Sequence, residues 1–151
     1  MTLKQTLFLL LTALLAVGLV ACGGEEGSGT EEVTLESESR TVEVGGGSYT
    51  AVSVDGLALM LEDKDFPLIN VHIPYEGELE GTDAFIPYNE ITSHLDELPA
   101  DKDARIVLYC RSGNMSAQAA SELAQLGYTD VWDVEGGFVE WEQSGRTVVH
   151  R

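Results

Sequence analysis

Cysteine is almost absent from this sequence. Cys22 and Cys110 are the only two, so a disulfide scaffold is excluded and no thiolate set is left to hold a structural metal. Histidine is as scarce: His72, His94 and His150 are scattered, without the spacing of a ligand pair. No metal site is expected. Positive charge is also short. Eight Lys and Arg stand against 26 Asp and Glu, for a formal net charge of −18. Such a chain repels phosphates, which excludes a nucleic-acid partner and charge-driven adhesion to an anionic bilayer. The acidity reads as solubility. No apolar run reaches the ~20 residues that span a membrane comfortably. The longest, Leu7 to Ala21, has 15.

That run is nevertheless informative. Lys4 precedes it and Leu19-Val20-Ala21-Cys22-Gly23 ends it. A positive start, a short apolar stretch and small residues before a cleavage point make residues 1–21 a signal peptide. The ending resembles the bacterial lipobox, which implies cleavage before Cys22 and acylation of its thiol. An ordinary secretory signal cleaved after Ala21 is the alternative. Two or three acyl chains anchor stably where one does not, so the expected location is extracytoplasmic, lipid-anchored to a bacterial membrane. Residues 22–48 read as the lipidated Cys followed by a flexible acidic linker. It starts Gly23-Gly24-Glu25-Glu26-Gly27-Ser28-Gly29 and closes on Gly45-Gly46-Gly47-Ser48. The weak alternation of Val33, Leu35, Val42 and Val44 is assigned to this linker, with a short accessory strand as the other reading.

Strand and helix patterns alternate from residue 49 to 151. Tyr49–Val52 is a strand candidate. Ser53 caps a helix with Leu57, Met60 and Leu61 on one face. Residues 66–73 form a buried strand stopped by Pro74, followed by an acidic loop to Phe85 that includes Glu76, Glu78, Glu80 and Asp83, read as solvated. Asn89 is taken to cap a helix with Ile91, Leu95 and Leu98 inward, ended by Pro99. Strands at 105–109 and 130–134 flank a helix from Ser116 with Ala117, Ala120, Leu123 and Ala124 inward and Gly127 at its C-terminus. A short helix with Phe138 and Trp141 follows Gly136-Gly137, and residues 146–149 end the chain as an edge segment. The pattern predicts an α/β fold: three layers, with a central, mostly parallel sheet flanked by helices. Ligand sites in such sheets lie beyond the carboxyl ends of strands.

Cys110 stands at such an end. The apolar run Ile106–Tyr109 stops at Cys110-Arg111-Ser112-Gly113-Asn114-Met115-Ser116, a polar turn that runs into a helix. Inward-facing loop N–H groups and a helix N-terminus favour an anion at that point, a thiolate included. With Cys22 committed to lipid, Cys110 is the only free thiol in an oxidising compartment, which is easier to explain by use than by packing. Cys110 is therefore read as a nucleophile rather than as a small buried hydrophobe. Arg111 is read either as facing a substrate or as part of a surface ion pair. His72, at a strand end, is read as a satisfied polar group rather than a site residue.

Residues 49–149 resemble a rhodanese (sulfurtransferase) domain. The resemblance rests on Leu68-Ile69-Asn70-Val71-His72, Phe85-Ile86-Pro87, the stretch Cys110–Ser116, Leu126-Gly127-Tyr128, and Gly136-Gly137-Phe138 with Trp141. It implies a catalytic Cys110 that cycles between thiolate and persulfide. Sulfane sulfur would pass from a donor such as thiosulfate to a thiophilic acceptor, with no cofactor. Arg111, Ser112, Gly113, Asn114, Met115 and Ser116 would form the substrate-binding loop. The partners implied are a small sulfur-containing anion or a low-molecular-weight thiol or persulfide, and a protein thiol as a further acceptor. The alternative is a low-turnover persulfide carrier or partner-binding module. Met115 stands where the family often has Arg, and Asn70 and His72 stand for its common Asp and Arg. Ser116 and Ala117 occupy the positions where the related phosphatases need an arginine for a phosphate dianion, so phosphatase chemistry is disfavoured.

Overall fold

Period-2 alternation decides which side chain enters which layer. In strand Ile106–Tyr109 every residue is buried, but Val107 and Tyr109 join one apolar cluster while Ile106 and Leu108 join another. A strand buried on both faces is the signature of a sheet covered on both sides. The computed structural model describes residues 33–150. The signal peptide, the lipobox and Cys22 lie outside the described residues.

The elements in order are β1 (Ser39–Val44), β2 (Gly47–Val52), α1 (Val54–Leu61), β3 (Leu68–Asn70), β4 (Glu78–Leu79), β5 (Ala84–Phe85), 3-10 turns at Tyr88–Ser93 and Leu95–Glu97, β6 (Ile106–Tyr109), α2 (Asn114–Gln125), β7 (Val131–Val134), α3 (Gly137–Gln143) and β8 (Val148–Val149). The main sheet has six strands in the order β1-β2-β7-β6-β3-β5. Only the β1–β2 pair is antiparallel; the other neighbours run parallel. One face packs Leu57 and Met60 of α1 with Phe138 and Trp141 of α3. The opposite face packs Ala119, Ala120 and Leu123 of α2 with Ile91 and Leu98. This is the α/β fold expected, a mostly parallel central sheet between helices.

Local chemistry explains the elements that agree. Ser53 caps α1, accepting from the Gly56 N–H at 3.0 Å. The end of α2 is closed by paired bonds, Gly127 N–H to Ala124 O at 3.0 Å and Tyr128 N–H to Leu123 O at 3.1 Å, the Schellman arrangement.

Four expectations are corrected. The linker does not extend to Ser48, because Ser39–Val44 is an edge strand paired along its whole length with Gly47–Val52. The glycine run that looks like linker is a hairpin turn at Gly45-Gly46. Gly47 next to it has α2 so close that a Cβ would sit 2.7 Å from Ala124 O. The helix assigned to Asn89 is a pair of 3-10 turns. Pro87, not Asn89, stands at its start and offers no side-chain cap, and the bonds are i→i+3, such as Glu90 N–H to Pro87 O at 2.9 Å. Asn89, Thr92, Ser93 and His94 are weak α-helix formers, so little local propensity opposes the tighter turns. The acidic loop contains two short strands: β4 pairs antiparallel with β8, and β5 extends the main sheet beside β3. Finally, α2 begins at Asn114, not Ser116, and Ala119 rather than Ala117 is buried.

Candidate active site

Cys110 follows the last residue of β6 and is 1% exposed. Its sulfur receives two contacts among the described residues: the Gly113 N–H at 3.1 Å and the Ser116 hydroxyl at 3.5 Å. The second is within reach for sulfur, whose larger radius lengthens its hydrogen bonds. Gly113 has φ +91°, a left-handed conformation that a side chain resists. That turn aims its N–H back at the thiol and starts α2 immediately after.

The loop is clamped from below by α3. Phe138 N–H donates to Cys110 O at 3.0 Å and Val139 N–H to Arg111 O at 3.1 Å. Gly137 makes this approach possible: it has φ +55°, and a Cβ there would stand 2.2 Å from Cys110 O. The separated sequence blocks Cys110–Ser116 and Gly136-Gly137-Phe138 are thus one structural unit. A rigid loop with a fixed N–H on sulfur can hold a thiolate or persulfide.

The other loop residues are less uniform. Ser112 and Asn114 are exposed, and Met115 packs against the apolar cluster below α2. Arg111 is 54% exposed, and its Nε meets Glu76 Oε2 at 3.1 Å. The ion-pair reading of Arg111 therefore describes the unliganded state. Glu76, read from sequence as solvated, is a site neighbour. His72 Nε2 lies 3.6 Å from the same carboxylate oxygen, too long for a hydrogen bond. Neither ring nitrogen has a hydrogen-bond partner, and the ring stands edge-on to Phe138 with centroids 5.6 Å apart. The expectation that His72 is a satisfied polar group fails for the ring. It holds for the backbone, since His72 N–H donates to Asn70 Oδ1 at 3.0 Å. Asn70 Nδ2 in turn donates to Gly77 O at 2.8 Å, so a neutral amide ties this strand end to the loop.

Sequence reading missed Asp133. It lies in β7 with Val131, Trp132 and Val134, all buried, and is itself 3% exposed. Burial pushes its carboxyl up to about 7; the Ser116 hydroxyl opposes this, Glu135 reinforces it and Arg40 opposes it. Asp133 lines a cavity of about 240 Å³ with Arg40, Tyr49, Gly113, Asn114 and Glu135. The sequence signal was a carboxylate inside a strand otherwise buried on both faces. No cluster of His, Cys, Asp and Glu among the described residues could hold a metal ion.

Comparison with known proteins agrees with this geometry. Residues 54–144 match the rhodanese-like domain family. A sulfurtransferase from Allochromatium vinosum is 34% identical over 101 residues, covering 65% of this chain and 92% of that protein. A tRNA uridine(34) hydroxylase from Erwinia tasmaniensis is 28% identical over 93 residues, but the chain spans only 27% of its length. Among solved structures, a rhodanese-related protein from Thermoplasma volcanium superposes with a TM-score of 0.56 at 28% identity, covering 66% of this chain and 96% of that one. With a cysteine loop at a strand's carboxyl end, a Gly-Gly turn clamping it and these relatives in agreement, the chain belongs to the rhodanese-like domain family.

Proposed function

We propose that this protein is a sulfurtransferase that works through a persulfide on Cys110, held outside the cytoplasm by a lipid on Cys22. The observation that carries the reading is the Gly113 N–H fixed 3.1 Å from the Cys110 sulfur in a loop clamped by Phe138 and Val139. The A. vinosum relative, a sulfurtransferase matched over nearly its whole length, supports the same chemistry.

The reaction divides into two displacements at sulfur. The Cys110 thiolate attacks the outer sulfur of a donor such as thiosulfate. A bond forms between Sγ and that sulfur, the donor's S–S bond breaks, and sulfite leaves with the electron pair. An acceptor nucleophile then attacks the outer sulfur of the persulfide, and Cys110 leaves as thiolate. With cyanide the product is thiocyanate; with a thiolate it is a new persulfide. No electrons are gained or lost overall. The Gly113 N–H faces negative charge on Sγ in the thiolate, and Ser116 is placed to donate there as well.

A second reading, a low-turnover persulfide carrier, is favoured by one observation. Arg111 is engaged by Glu76 and Met115 faces the core, so the loop offers no free cation to a dianionic donor. The two readings separate on turnover. The full chain, mixed with thiosulfate and cyanide, is expected to form thiocyanate faster than Cys110→Ser does. Equal rates exclude thiosulfate:cyanide turnover. Membrane attachment is tested separately: Cys22→Ser is expected to move the protein out of the membrane fraction, and its retention there would contradict a lipid anchor.

A further inference from the structure

The two cations beside the cysteine loop are both engaged. Arg111 meets Glu76, and Arg40 of β1 is paired with Glu135, the residue after β7. Asp133 is in the opposite state, an acceptor without a donor. It is 3% exposed, and its Oδ1 is buried with no hydrogen-bond partner among the described residues. A buried oxygen in that state is costly, most of all when ionised.

Strand alternation places that carboxyl. In β7, Trp132 and Val134 belong to the apolar cluster under α1 and α3 and Val131 to the α2 side, so Asp133 is on the α2 side. Tyr49 of β2 packs on the same side. The cysteine loop rests on the end of β7: a Cβ on Gly113 would stand 3.3 Å from Gly136 N and 3.6 Å from Glu135 Cα. Here lies the cavity of about 240 Å³, with Arg40, Tyr49, Gly113, Asn114, Asp133 and Glu135 in its wall. Gly113 borders both this cavity and the Cys110 sulfur, which its N–H meets at 3.1 Å.

The wall selects the charge of a ligand. It holds two carboxyl groups and one guanidinium, and Glu135 already engages that guanidinium. An anionic group would face Asp133 with no unengaged cation to meet it. A primary ammonium has three donors and no acceptor. It complements an oxygen that lacks a donor, and its charge offsets the excess carboxyl. A metal ion is not favoured, because no group of three or more His, Cys, Asp or Glu among the described residues is placed to hold one.

We propose that this cavity seats the ammonium group of a low-molecular-weight aminothiol that takes sulfur from Cys110. The inference rests on the reading of Cys110 as the carrier of a persulfide. The thiol loses its proton to solvent and attacks as thiolate. A bond forms between its sulfur and the outer sulfur of the persulfide, and the bond from that outer sulfur to Sγ breaks. Cys110 leaves with the electron pair, and the aminothiol departs as a persulfide. The ammonium changes no bond; it holds the acceptor through Asp133.

The test uses three thiols of similar size and different charge: cysteamine is cationic, 2-mercaptoethanol neutral and thioglycolate anionic. The full chain is loaded with sulfur from inorganic polysulfide and mixed with each thiol at about pH 8, where the amine is charged and carboxylates are ionised. Loss of the added mass gives the rate. Dividing the wild-type rate by the Asp133→Asn rate for the same thiol cancels the thiol's own reactivity. That quotient is expected to be about three- to tenfold higher for cysteamine than for 2-mercaptoethanol, the effect of one charge-assisted hydrogen bond, and lowest for thioglycolate. Ala117→Leu, which fills the cavity from α2 without changing charge, is expected to lose the same preference. Equal quotients for the three thiols overturn the proposal, and so does a cysteamine preference that survives Ala117→Leu. Ethanolamine, with the ammonium but no thiol, is expected to raise the unfolding midpoint of the unloaded wild type and not that of Asp133→Asn. No such rise in wild type means that the cavity holds solvent only, which also overturns it. If ethanolamine stabilises the wild type but no sulfur loads onto Cys110, the sulfur-transfer reading fails, the acceptor role falls with it, and the ammonium site stands.

Discussion

The Arg111 guanidinium, next in the chain to Cys110, is engaged by Glu76 from the loop after β3, Nε to Oε2 at 3.1 Å. The same carboxylate oxygen is 3.6 Å from His72 Nε2. Glu76 therefore occupies the one cation of the cysteine loop. Both partners are about half exposed, so the pair contributes little to stability, roughly 0.5 kcal/mol or less. If Arg111 meets an anionic donor, as proposed, the pair is expected to act on binding instead.

Glu76→Gln releases Arg111 without changing side-chain size. The KM for thiosulfate is expected to fall by about three- to tenfold, with the gain screened by salt, and the unfolding midpoint to move little. Steady-state kinetics at low and high ionic strength check this. An unchanged KM would show that Arg111 does not meet the donor.

Gly137→Ala is expected to be severe. The added carbon would lie 2.2 Å from Cys110 O, at a residue with φ +55°. Strained backbone and a clash with fixed main chain together cost about 3 kcal/mol or more. Urea unfolding measures the loss. Because the clash falls on the cysteine loop, persulfide formation is expected to drop even where the variant remains folded.

Asp133 sets a pH dependence of stability. Burial raises its folded pKa from 3.8 to about 7, so between those values the folded state binds more protons than the unfolded one. Stability therefore falls as pH rises through that window and levels off above it. Asp133→Asn removes the titration. The variant is expected to gain on wild type by an amount on the order of a few kcal/mol at about pH 8, and the gain to vanish toward about pH 4. Denaturation curves at both pH values check it; a gain independent of pH would mean that Asp133 is not titrating.

Most of the fold was legible because its signals are local. The run Ile106–Tyr109 gave β6, the Ser53 cap gave the start of α1, and Gly127 gave the end of α2. The cysteine loop was legible for the same reason, being contiguous in the chain. What escaped is set by contacts distant in sequence. Ser39–Val44 is a strand because Gly47–Val52 pairs with it, and its glycine turn reads like a linker in isolation. The short strand Glu78–Leu79 exists through its partner Val148–Val149, 71 residues on by the register Glu78 to Val149. Asn89 looked like a cap, but Pro87 and poor local propensity drew the segment into 3-10 turns. At the site, Glu76 and Asp133 were missed because nothing nearby in the chain announces Arg111 as a partner for one or Ser116 as a neighbour of the other.

On the proposed function, Cys110 carries sulfur as a persulfide. Intact-mass measurement of the full chain after incubation with thiosulfate, or with a low-molecular-weight persulfide, tests it without assuming an acceptor. The wild-type chain is expected to gain one sulfur, about 32 Da, located on Cys110, removed by cyanide or a thiol, and absent from Cys110→Ser. A wild-type protein that gains no such mass with any donor would contradict both the transferase and the carrier reading.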